Sequence, residues 1–174
     1  MSAEARTRRF DKLARTWSAD LYRFALWLCG QEALARDLVQ ETFLRAWKAL
    51  DSLQSDAAAK SWLITILRRE YARTFERKQL PLADVDAMAV PDDTTLSPEQ
   101  KLERRMLQRG ILELDARYRE PLLLQVVMGY SCEEIAEQLG IGKSAVMTQL
   151  FRAREQLKAK LQGDGVTGNV HELF

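Results

Sequence analysis

One histidine and two cysteines are the whole supply of imidazole and thiol in this chain of 174 residues. With His171 in a glycine-rich tail and no Cys-x-x-Cys pair, the chain offers no zinc-ligand set, so no metal site is expected. Cys29 and Cys132 lie far apart, each beside apolar residues or a helix start, which favours reduced packing residues over a disulfide. Catalytic constellations are missing too. There is no Gly-rich phosphate loop, no Ser-His-Asp set that His171 could join, and no carboxylate pair in a pocket-forming context. Neither an enzyme nor a cofactor is expected. No apolar run approaches the roughly 20 residues that span a bilayer. The amino end, MSAEARTRRFDK, is charged with no signal-peptide core behind it. A cytoplasmic protein without membrane insertion is expected.

What is present is helical text. A chain 47% apolar and 29% charged has room for one or two small cores, and two small domains fit best. The net charge of +1 conceals an uneven distribution: residues 1–79 carry 15 basic and 10 acidic side chains, 80–98 none and four, and 99–174 carry 11 of each. The middle segment, LPLADVDAMAVPDDTTLSP, also holds three of the four prolines and no sustained apolar period, so it reads as an acidic linker. Ser97 and Pro98 then stand in the cap-then-proline order that restarts a helix at Glu99. The expected organisation is an all-α chain of two small helical domains, 1–79 and 99–174, joined by the linker 80–98.

The stretch Tyr130 to Arg154, YSCEEIAEQLGIGKSAVMTQLFRAR, reads as two short helices around a tight turn. Ser131 can cap the first, Glu133 and Glu134 suit its positive end, and Ile135, Ala136 and Leu139 make an inward face. Gly140 and Gly142 suit a sharp reversal with Ile141 pinning it to the core, and Ser144 is the expected cap of the second helix. There Val146, Leu150, Ala153 and Leu157 form a buried stripe, leaving Lys143, Ser144, Ala145, Met147, Thr148, Gln149 and Arg152 outside. Such a helix fits a major groove, although a plain helical hairpin with a solvated charged face has the same spacing.

The first block has apolar residues at Leu21, Phe24, Ala25 and Leu28, a break at Gly30, and a second run through Leu34, Leu38, Thr42 and Leu44 to Leu50. Core packing is expected for Trp27 and Trp47. A third run, Lys60 to Lys78, interleaves Lys60, Arg68, Arg69, Arg73, Arg77 and Lys78 with Trp62, Tyr71 and Phe75. Cations four apart with nearby aromatic faces suit phosphate contact and stacking on unstacked bases, and equally a solvated basic helix face.

The segment Asp37 to Trp47, DLVQETFLRAW, strongly resembles the core-polymerase-binding segment of bacterial sigma factors of the extracytoplasmic-function group. The resemblance spans nearly the whole chain, with residues from about 10 to 79 similar to the sigma-2 domain and 99–161 to the sigma-4 domain. It implies an alternative sigma factor that binds core RNA polymerase, directs it to promoters and assists melting. Asp37, Gln40, Glu41, Arg45 and Lys48 would make polar contacts to the polymerase, with Leu38, Phe43 and Trp47 supporting or joining them from the apolar side.

In the same way Lys60, Trp62, Arg68, Arg69, Tyr71, Arg73, Arg77 and Lys78 would recognise and melt the minus-10 element. Arg69 stands where the family often has asparagine, and Arg73 where it often has an acidic residue, so a more basic helix with stronger salt dependence is expected. At the minus-35 element Met147 and Gln149 replace common cations, so Gln149 could read adenine and Met147 pack on a thymine methyl. The linker, with Asp84, Asp86, Asp92 and Asp93, resembles segments that thread toward the active centre, or is a plain tether. An anti-sigma factor is an expected partner. The tail QGDGVTGNVHELF reads as disordered or as a short docking segment. A stand-alone helix-turn-helix regulator is the rival reading, but it would have no use for DLVQETFLRAW.

Overall fold

The computed structural model describes residues 1–78 and 95–163, with only the main chain for 75–78. Nearly all of it is helix, in the order α1 (Ala3–Cys29), α2 (Glu32–Lys48), α3 (Ala59–Lys78), α4 (Pro98–Leu112), α5 (Ala116–Val126), α6 (Cys132–Leu139) and α7 (Lys143–Gly163). Two short 3-10 turns, Leu50–Ser52 and Asp56–Ala58, connect α2 to α3. No strand occurs among the described residues.

Several helix boundaries have a local cause. Ser2 caps α1 by accepting from the Ala5 N–H, and Gly30 ends it at φ 71, a left-handed conformation in which a side chain would be strained. Ser97 caps α4 within a full capping box, its hydroxyl accepting from Gln100 N–H while the Gln100 side chain accepts from Ser97 N–H, and Pro98 takes the first helical position. Residues 80–94 of the acidic linker, which hold its four aspartates, lie outside the described residues, as does the tail from residue 164.

In the first half α1 packs on α2 and α2 on α3; in the second, α7 packs on α4, α5 and α6. The amino-terminal part of α1 is held over a small core of Leu13, Leu50, Leu53 and Ala59. Arg6 donates to the Trp47 carbonyl and pairs with Asp51, while Arg9 donates to the Leu53 carbonyl and pairs with Asp56.

The two halves do not stand apart. Helix α1 touches α4 and α5, and one continuous buried cluster joins Phe24, Leu28, Leu38, Ile64 and Leu67 of the first half to Ile111, Leu123, Leu150 and Leu157 of the second. Two small domains thus pack as one body around a shared interior, because the apolar stripe of α1 runs on through Leu26, Trp27 and Leu28 past what α2 and α3 cover.

Candidate nucleic-acid and protein interfaces

Helices α2 and α3 leave an open groove of about 440 Å³, lined by Asp37, Gln40, Glu41, Leu44 and Arg45 from α2 and by Glu70, Arg73 and Thr74 from α3. Leu38 forms its buried floor, and the Thr42 hydroxyl, also buried, donates to the Leu38 carbonyl at 2.6 Å. Leu44 stands out from the groove at 53% exposure. Glu70 is buried and gathers the cations: Arg45 Nε lies 2.6 Å and Arg73 Nη1 2.9 Å from its Oε1, and Arg45 also lies 3.1 Å from Glu41. Phe43 and Trp47 point the other way, edge-on to Phe10 at 6.1 and 5.2 Å, with Arg6 stacked over Trp47 at 5.0 Å.

Helix α3 turns a second face toward the other half of the chain. Lys60 donates to the Met128 carbonyl and lies 4.7 Å over the Tyr130 ring. Arg68 is paired with Glu120 and donates to the Gln138 carbonyl at 2.9 Å; the Gln138 amide donates to the Thr65 hydroxyl at 2.8 Å. Tyr71 donates to the Leu28 carbonyl at 3.3 Å, and burial pushes its phenol up to about 12. Trp62 is half-buried between the two clusters, and Arg69 is exposed.

The hairpin α6–α7 has the expected interior. Ser131 caps α6 through the Glu134 N–H at 3.1 Å, Gly140 turns the chain at φ 66, and Ile141 packs on the core. Val146, Leu150, Ala153, Leu157 and also Leu161 are buried along α7. Lys143, Ser144, Ala145, Met147, Thr148, Phe151 and Arg152 are exposed. Lys143 is ion-paired across the turn with Glu133, which holds the Glu133 carboxyl below its ordinary range and raises the lysine. Arg154 bends back to the Gln125 side chain and so belongs to the packing.

The chain matches Sigma-70 region 2 over residues 13–80 and Sigma-70 region 4 over residues 104–157. It is 33% identical over 156 residues to the ECF RNA polymerase sigma factor SigL of Mycobacterium tuberculosis strain H37Rv, which covers 86% of this chain and 87% of SigL. It belongs to the ECF sigma factors. SigM of Bacillus subtilis strain 168 is 30% identical over 153 residues, with 86% of this chain and 93% of that one covered. Among solved structures, RpoE of Bartonella quintana with the anti-sigma factor NepR superposes at TM-score 0.75 and 25% identity, over 89% of this chain and 98% of that one. CnrH with the cytosolic domain of CnrY superposes at 0.70 and 26%, over 91% and 90%. As an alternative sigma factor the chain is a non-enzymatic initiation factor that directs RNA polymerase to promoters.

Several residues of this sigma factor sit differently from expectation. Ser144 lies inside the first turn of α7, which begins at Lys143, so it is not the cap; the Val146 N–H bonds to the Gly142 carbonyl instead. Gly142 is not among the positive-φ glycines, so Gly140 alone of the pair makes the left-handed turn. Gln149 is half-buried with its Oε1 enclosed and without a hydrogen-bond partner, so the expected two-pronged reading of adenine requires a rotamer change. Trp47 is not core: at 37% exposure it is a half-open lid on Phe10.

Arg73, expected with the minus-10 cations, is drawn by Glu70 into the α2–α3 groove and separated from Lys60 and Arg68, which face the second half. Arg77 and Lys78 end α3, their side chains outside the described residues. Two residues escaped the sequence reading. Leu44, seven after Asp37 and three after Glu41, shares their face, a period that the surrounding apolar run through Leu50 conceals. Phe151, four after Met147, is the most exposed large apolar side chain on α7, at 65%.

Proposed function

We propose that this sigma factor grips core polymerase through the α2–α3 groove, meets the minus-10 region with α3 and reads the minus-35 element with the outer face of α7. Leu44 carries the first assignment. An apolar side chain left 53% exposed and ringed by Asp37, Gln40, Glu41 and Arg45 is an anchor with a polar rim, the usual anatomy of a protein contact. Leu38 supports that surface from beneath, and Phe43, Trp47 and Arg6 stiffen the helix from the α1 side.

On α7, Met147 and Phe151 place two apolar groups beside Arg152, a mixture that suits thymine methyls flanked by a phosphate contact. On α3, Lys60, Trp62, Arg68, Arg69 and Tyr71 supply cations and aromatic faces for an opened strand. We place the protein in the cytoplasm; no helix among the described residues is long and apolar enough to cross a membrane. An anti-sigma factor is the expected antagonist, as NepR is for its structural neighbour RpoE.

Runoff transcription with purified core polymerase and a promoter library, with and without this protein, tests the reading. Transcripts that depend on the wild-type chain and are lost when Asp37 and Leu44 are both changed to alanine are expected. Dependent transcripts unaffected by that double change would remove the groove from the polymerase contact.

A further inference from the structure

A cavity of about 230 Å³ opens where α1 meets α4 and α5, and it shares no residue with the α2–α3 groove or the outer face of α7. Trp27 of α1, Leu107 and Ile111 of α4, and Leu123 and Val126 of α5 wall it. Two cations also line it, Arg23 of α1 and Arg104 of α4.

The two arginines differ in how far they are satisfied. Arg23 keeps half its side chain in water and pairs with Asp20 at 3.0 Å. Arg104 is half-buried and has no ion pair or hydrogen bond among the described residues. A guanidinium is always charged, and one drawn partly out of water beside an apolar wall has lost hydration that no acidic partner replaces here. A carboxylate would replace it, in the bidentate geometry that guanidinium and carboxylate share. Val127 caps the carbonyl end of α5 and borders the cavity, so the negative pole of that helix lies on the α5 side. The charge of an anion therefore belongs toward α1 and α4, and its apolar body toward α5.

Size limits that body. A cavity of roughly 150 Å³ holds one benzene ring. The space here suits a single ring bearing a carboxylate and is too small for a long acyl chain, and Trp27 offers an aromatic wall for the ring.

We propose that the α1–α4–α5 cavity is a binding site for a small aromatic carboxylate, its acid group held by Arg104 with Arg23 beside it and its ring among Trp27, Leu107, Leu123 and Val126. The site stands on the packing of α1 against α4 and α5 and not on any DNA-reading face.

The test uses para-fluorobenzoate and the full chain, followed by fluorine NMR line broadening. Saturable binding with a Kd on the order of 0.1–1 mM is expected, the range open to a ligand of about ten non-hydrogen atoms. Arg104→Gln should weaken it about tenfold or more, and para-fluorobenzamide, of similar shape but uncharged, should bind wild type weaker by a similar factor. Arg105→Gln, the same charge change on an exposed neighbour outside the cavity, should leave the Kd unchanged. Val126→Phe fills the cavity from α5 and should abolish binding. No saturable binding by the folded wild type below about 10 mM would overturn the site. So would equal affinity for acid and amide, an unchanged Kd in Arg104→Gln, equal weakening by Arg105→Gln, or full binding by Val126→Phe.

Discussion

Leu38 and Leu44 are six residues apart on one helix and have opposite fates: the first is 2% exposed and the second 53%. Truncation should separate their roles. Leu38→Ala leaves a cavity under the groove and is expected to lower unfolding stability by about 2–5 kcal/mol in urea denaturation. Leu44→Ala should leave the denaturation midpoint nearly unchanged and weaken binding to core polymerase by about tenfold or more, measured by titration of labelled protein. Equal loss of stability in both would mean that Leu44 is packing rather than contact.

A side chain can also bear on acid stability. Lys160 Nζ donates to Glu113 at 3.0 Å and Arg109 Nε at 3.1 Å; the lysine bond is the main cause holding the Glu113 carboxyl below its ordinary range, with partial burial opposing it. A carboxyl depressed in the folded state stabilises above its unfolded value, and that contribution fades as pH falls through the folded one. Both partners keep more than a third of their side-chain surface in water, so screening keeps the effect small. Thermal melts of wild type and Glu113→Gln are expected to differ slightly at pH 7 and to converge as pH falls below the ordinary glutamate range and through the depressed folded-state value. A gap that persists unchanged at low pH would sink the assignment.

Helix α7 shows what periodicity reveals and where it stops. The spacing of Val146, Leu150, Ala153 and Leu157 identified the buried stripe, since burial on a helix repeats with its turn. Gln149 and Arg154 border that stripe, and whether such a residue points in or out depends on the neighbouring helix: Gln125 of α5 captures Arg154. Arg73 shows a local version of the effect: Glu70, three residues earlier on α3, draws it toward Arg45 of α2. On the outer face of α7 charge and apolar contact should be separable. Arg152→Ala is expected to weaken minus-35 binding across all sequences and to lower the salt slope by about 1. Phe151→Ala should keep the slope and shift base preference, read by selection from a randomised promoter. A changed slope in Phe151→Ala would contradict this division.

No periodic pattern could have shown that the two halves share an interior. The stripe on α1 says that Trp27 and Leu28 face inward, but which element covers them is decided by the fold, and here α4 and α5 do so across the linker. The helices and the caps at Ser97, Ser131 and Gly140 could be read from local residues; the pairing of Lys60 with the Met128 carbonyl and of Arg68 with Glu120 and the Gln138 carbonyl joins positions more than 50 apart and could not. If the shared interior holds the halves together, the covalent linker is not what does so. A protease site placed between Asp86 and Ala87 and then cut should leave two fragments that co-elute in gel filtration at micromolar concentration, because the apolar contact supplies an affinity on the order of micromolar or tighter. Fragments that separate on cutting would show that the packing of the halves depends on the tether and that the interior between α1, α4 and α5 is too weak to hold them by itself.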